Sequence, residues 1–114
     1  MIYDEQMDKE CIELCNAINS IKGCNTFESC CGHGKYPYRI WFTAVEVQHL
    51  VIPVMACNKN YGCVLGWEVK VSHCESPNRA IFLLEGPINA YEDADKIAKT
   101  IYEFFGQVGK EAHD

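Results

Sequence analysis

Strand-forming runs occur in this chain as two consecutive pairs, residues 24–30 with 38–43 and residues 64–72 with 80–85, and the members of each pair are close neighbours in sequence. Neighbours linked this closely pair antiparallel, because a parallel crossover needs a dozen or more residues. The run 38–43 is rich in aromatic and β-branched side chains, which suit a pleated, half-buried surface. The run 64–72 alternates, with Leu65, Trp67, Val69 and Val71 on one face and Gly66, Glu68, Lys70 and Ser72 on the other. That pattern predicts a half-buried strand. Residues 80–85 are apolar on both faces, as in a central strand.

Three segments carry helical periodicity. Over residues 5–22, Met7, Cys11, Leu14, Cys15, Ile18 and Ile21 recur at spacings of three and four and form one apolar stripe. Asp4 or Asp8 can cap its start, and Gly23 stands where a left-handed C-terminal cap is expected. A second helix is expected from a cap at Thr43 to about residue 58, burying Val47, Leu50, Val51, Val54 and Met55. Pro53 must kink it or shift its start later. Residues 58–62 read as a turn. Asn89 with Glu92 has capping-box spacing, and Tyr91, Ala94, Ile97, Ala98, Ile101, Tyr102 and Phe105 form the stripe of a last helix that ends at Gly106. The expected order is α-β-β-α-β-β-α. It implies a single α+β domain over 1–114, a two-layer sandwich whose mostly antiparallel four-stranded sheet has three helices packed against one face.

Composition narrows the function classes. With 48% apolar and 23% charged residues the chain is ordinary for a globular domain, and no segment approaches the ~18 apolar residues of a membrane span. The acidic start, Met1 to Glu5, lacks the layout of a secretory signal, so a cytoplasmic protein is expected. A net charge of -6 argues against a broad nucleic-acid footprint. The chain has eight cysteines and no Cys-x-x-Cys. They read as reduced thiols, most of them packing as small hydrophobes, with Cys11 and Cys15 in the core.

Chemistry concentrates in Glu28-Ser29-Cys30-Cys31-Gly32-His33-Gly34, between the first two strands. Two thiols, an imidazole, a hydroxyl and a carboxylate meet there, and two glycines allow a sharp turn. The leading expectation is a pocket for a small-molecule ligand or a metal ion. Ser29, Cys30, Gly32, Gly34, Lys35 and Arg39 are the candidate ligand contacts. Cys30, Cys31 and His33 are donors suited to zinc, and His73 and Cys74 close the third strand and complete a candidate set; Cys57 and Cys63 flank another turn. Alternatively Cys31 is a nucleophile, His33 its base and Glu28 the orienting carboxylate, with the N–H groups of 32–34 forming an oxyanion nest. The run Lys35-Tyr36-Pro37-Tyr38-Arg39-Ile40-Trp41 interleaves cations and rings, as nucleic-acid contacts do; its rings serve equally as core. A purely structural loop, with His33 bonding a backbone carbonyl, explains the same residues.

Asn19, followed by Thr26-x-x-Ser29-Cys30-x-Gly32, resembles the Thr-x-Ser-Ser-Cys-Ser-Gly-Arg region of the wybutosine-synthesis methyltransferases, which modify phenylalanine tRNA. Residues 66–73, Gly-Trp-Glu-Val-Lys-Val-Ser-His, are similar to that family's Trp-x-x-Val-Ser-His strand. His33 stands in place of the family's arginine and Cys31 in place of its second serine. The resemblance implies S-adenosylmethionine as cofactor and tRNA as partner. The chain also resembles, more closely, small bacterial and phage proteins of no established activity that carry a Glu-Ser-Cys-x-Gly-His-Gly element. Together these place the expected pocket where Ser29 to His33 meet the strand end at His73 and Cys74.

Overall fold

The computed structural model describes residues 8–61 and 66–113. Its elements are α1 (Lys9–Asn19), β1 (Cys24–Cys30), β2 (Tyr38–Ala44), α2 (Gln48–Tyr61), β3 (Glu68–Ser76), β4 (Arg79–Gly86) and α3 (Tyr91–His113). The order is the expected α-β-β-α-β-β-α. The four strands form one sheet in the order β1-β2-β4-β3, and each neighbouring pair is antiparallel. β4 is central, as its two-sided apolar pattern requires, and β1 and β3 are the edges.

One core joins the helices to the sheet. Tyr38, Ile40 and Phe42 alternate inward from β2 and Leu84 joins them from β4, packed against Cys11, Leu14, Cys15 and Ile18 of α1, Leu50 and Cys57 of α2, and Ala94, Ile97 and Ile101 of α3. The intervening residues of β2 point to the other face, where Arg39 opposes Glu85 and Trp41 opposes Leu83. The Arg39 guanidinium there lies 5.8 Å from the centroid of the Trp41 ring.

β1 is not regular. Thr26 pairs with Phe42 but Glu28 pairs with Trp41, so Phe27 is an extra residue. Such a bulge shifts the alternation of everything after it. Cys24 and Thr26 face the core before the bulge. Beyond it, Glu28 and Cys30 lie opposite the open-face residues Trp41 and Arg39, while Cys31 belongs to the core.

Several boundaries differ from expectation for local reasons. α1 stops at Asn19, where the Ser20 N–H is shared between the Asn16 and Ala17 carbonyls and the Ser20 hydroxyl donates to Ala17 O; Gly23 is left-handed (φ 85) but lies past a further turn. Asp8 occupies the N-cap position of α1 yet makes no capping bond; Met7 and Asp4 lie outside the described residues. Thr43 belongs to β2, and α2 starts later, at Gln48, with Pro53 inside its second turn. It continues through the expected turn to Tyr61, and Met55 is exposed, not core.

β3 begins at Glu68, not at residue 64, and is exposed along most of its length because it is an edge; Val71 is 58% exposed. Trp67, just before it, is buried and its indole N–H donates to Asp93 at 3.2 Å. Leu65 lies outside the described residues. Asn89 is left-handed (φ 63) and two residues ahead of α3, and α3 runs through Gly106 to His113. Among the described residues no helix is long and apolar enough to cross a membrane.

Candidate functional site

The short link between α1 and β1 folds the helix back along the strand. At about 1.5 Å per residue α1 is about 16 Å long, and β1 at about 3.3 Å per residue is about 23 Å. The start of the helix therefore returns beside the end of the strand. This brings Asp8 to Cys31, whose N–H donates to Asp8 Oδ2 at 2.9 Å. Asp8 leaves its own helix uncapped and holds the loop after β1 instead.

That loop is unusual in its backbone. Gly32 (φ 87), His33 (φ 52) and Gly34 (φ 79) are all left-handed. Gly32 O accepts from the N–H groups of Lys35 (2.9 Å) and Tyr36 (3.0 Å), so the chain closes tightly on itself. The tight closure lays the His33 ring over Cys31. Cys31 Sγ is 3.8 Å from His33 Nδ1, and His33 Nε2 is 3.7 Å from Asp8 Oδ2. Three donor atoms of different kinds, one each from Asp8, Cys31 and His33, lie within 4.8 Å of one another.

The three residues differ in exposure. Cys31 is 3% exposed, whereas the side chains of His33 and Asp8 are 65% and 22% exposed. Burial pushes the Cys31 thiol up, and the Asp8 carboxylate pushes the same way; the His33 N–H at 3.4 Å and the Tyr91 hydroxyl at 4.0 Å oppose this by stabilising a thiolate. Tyr91 is the first residue of α3. Behind it Tyr38 donates to Glu10 O at 2.7 Å and packs on Trp67, with ring centroids 5.2 Å apart. Burial pushes the Cys11 thiol up to about 12 beneath this layer.

The structure brings together only part of the expected set. Cys31 and His33 meet. Cys30 faces the open side of the sheet, with Arg39 as its cross-strand neighbour and its sulfur accepting the Gly32 N–H at 3.4 Å. Glu28 is on that open side too, opposite Trp41, so the carboxylate beside the imidazole is Asp8 and not Glu28. The row from Cys30 runs through Arg39 and Glu85 to Glu68, the first residue of β3. His73 and Cys74 pair with Ile81 and Ala80, farther along that opposite edge, and are exposed. They do not join the group. Cys57 is buried within α2, and Cys63 lies outside the described residues.

Two of the three N–H groups of the expected oxyanion nest are already engaged. The N–H groups of Gly32 and His33 are given to Cys30 Sγ and Cys31 Sγ, each at 3.4 Å. Lys35 is exposed. Asn19 and Thr26 hold each other, Asn19 Nδ2 donating to Thr26 Oγ1 and Thr26 N–H to Asn19 Oδ1, each at 2.8 Å. Asp8 and Tyr91 were not among the sequence candidates. The signal that finds Asp8 is the short α1–β1 link together with comparable element lengths; for Tyr91 no local pattern exists. No family model matches this chain, and no curated protein or solved structure matches it.

Proposed function

We propose that this protein binds a zinc-type divalent cation through Asp8, Cys31 and His33, leaving one coordination position for water or a small-molecule ligand. The observation that carries this is the convergence of carboxylate, thiol and imidazole within 4.8 Å. Tetrahedral zinc with Zn–S of about 2.3 Å and Zn–N and Zn–O of about 2.0–2.2 Å needs donor atoms roughly 3.3–3.6 Å apart. The contacts of 3.8 and 3.7 Å are within a few tenths of that. They use different ring nitrogens, so binding requires the exposed His33 ring to turn one nitrogen toward both partners. The Cys31 N–H fixes Asp8 by bonding to Oδ2, the same oxygen that faces His33, as hydrogen bonds do for metal-binding carboxylates. Three protein donors with an open fourth place is the pattern of reactive sites; structural zinc sites have four.

Elemental analysis of untagged protein, with competition against a chromogenic chelator, tests this. One equivalent of cation is expected, lost in Cys31→Ala, His33→Ala and Asp8→Asn and retained in Cys74→Ala. No cation above background, or uptake indifferent to the three changes, refutes it.

The two-nitrogen geometry supports a second reading. Sulfur at Nδ1 and carboxylate at Nε2 is the order of a nucleophile, its base and the orienting group. The burial of Cys31 counts against it, since a nucleophile must be reached and ionised. Iodoacetamide separates the two readings. A thiol enzyme predicts that Cys31 alkylates far faster than the exposed Cys74, and the metal site predicts the reverse.

A further inference from the structure

A second feature lies away from this site, where β2 and β4 part. Their ladder runs from Tyr38↔Gly86 to Phe42↔Phe82 and stops, although β2 continues to Ala44 and β4 begins at Arg79. Continued in register, Ala44 would oppose Ala80. The Val45 N–H bonds to Gly23 O, on the β1 side. Backbone groups of successive strand residues alternate sides, so Ala44 directs its N–H and C=O toward β4, as does Phe42. Phe82 answers Phe42, and by the same alternation Ala80 directs its pair toward β2. The fork thus leaves facing donors and acceptors on both walls of a cleft of about 360 Å³.

The rest of the lining suits one kind of occupant. Gly23, Ala44 and Ala80 keep the walls low, and Asn25, Thr43 and Asn78 supply polar side chains. Arg79 is the single charged residue among those lining the cleft, on a chain whose net charge is -6. Its Nε contacts Glu75 at 3.3 Å, and its side chain is 57% exposed, within reach of a solvent-borne partner. The volume is at the small end of ligand sites. An exposed strand wall with open backbone groups recruits an extended segment by adding ladder bonds, and a guanidinium recognises a carboxylate.

We propose that the fork between β2 and β4 captures the carboxylate end of an extended peptide, with its last residues laddered against Ala44 or Ala80 and its terminal carboxylate on Arg79. This site is independent of the cation site and stands or falls without it.

The test is a titration of 15N-labelled protein with acetyl-Val-Thr-Val bearing a free carboxylate, followed by amide chemical shifts up to millimolar concentration. Saturable shifts are expected at Ala44, Arg79 and Ala80. The C-terminal amide of the same peptide should bind at least about tenfold more weakly, as loss of a hydrogen bond to a charged group implies. Arg79→Gln should weaken the acid to the level of the amide. Ala80→Pro removes one gap-facing donor without breaking a bond to β3 and should weaken both peptides. Flat shifts at these residues, or equal affinity for acid and amide, overturn the proposal. So does acetate alone reproducing the peptide's shifts at the same concentration, since that reduces the fork to an anion contact.

Discussion

Gly32→Ala tests the loop that assembles the candidate site, with Gly34→Ala as its internal control. Both positions are left-handed, so a Cβ costs about 1–2 kcal/mol at either. Only the first has no room. A Cβ at Gly32 would lie 1.9 Å from Tyr36 O and 2.7 Å from Tyr36 C, and backbone atoms cannot swing aside. At Gly34 the nearest atom is Asn89 Oδ1 at 3.3 Å, the tip of a side chain. Gly32→Ala must therefore open the turn and give up the two bonds Gly32 O accepts, about 1 kcal/mol each. The expected destabilisation is roughly 3–4 kcal/mol, against about 1–2 kcal/mol for Gly34→Ala. Urea unfolding at unchanged slope measures the difference. Cation affinity should fall further in Gly32→Ala, because the turn that lays His33 over Cys31 is lost. If the two variants agree within about 0.5 kcal/mol, the closure at Tyr36 does not hold the loop and this account of the site is wrong.

Asn19→Ala removes both bonds to Thr26 and strands a buried N–H, so a loss of about 2–4 kcal/mol is expected in the same urea experiment; a loss under about 0.5 kcal/mol would show the clamp to be decorative. The Cys11 thiol rises from 9.0 to about 12 on folding, so its contribution is complete below pH 9 and drains away as pH climbs through the folded value. Up to roughly 4 kcal/mol is at stake from that group, burial pushes Cys15 and Cys24 the same way, and Cys11→Ala should flatten the alkaline fall in stability. Cation binding must displace the Cys31 proton that burial and Asp8 retain. Its dissociation constant should rise about tenfold per unit fall in pH, and a pH-independent constant by calorimetry would exclude Cys31 as a donor.

Much of the architecture was legible because pattern and burial agree. The pairing of strand runs, the helical stripe with Cys11 and Cys15, and the two-sided apolar run of β4 each report on a face buried in the fold. The misreadings have physical causes. β3 alternates as a half-buried strand should, but alternation says nothing about position in the sheet, and at an edge Val71 is left uncovered. Thr43 is a good cap residue, yet its β-branched side chain equally suits the end of β2. Cys31 and His33 are legible as a pair because they are near in sequence. Asp8 and Tyr91 reach them only through the packing of α1 and α3, and the strand order, which no local pattern encodes, sets His73 and Cys74 on the far edge.

That Phe27 is bulged out of the ladder with β2, not paired within it, decides which sulfur the imidazole meets. Counting by twos from Cys24 through Thr26 would send Cys30 inward and Cys31 out, which exchanges the two thiols' surroundings. The irregularity reverses that parity one turn of the pleat before it matters. Excising Phe27 would restore an even rhythm while keeping Glu28 against Trp41, so the same sulfur would stay inside. Adding a residue between Glu28 and Cys31 would not be so forgiving, since it would hand the histidine the wrong neighbour.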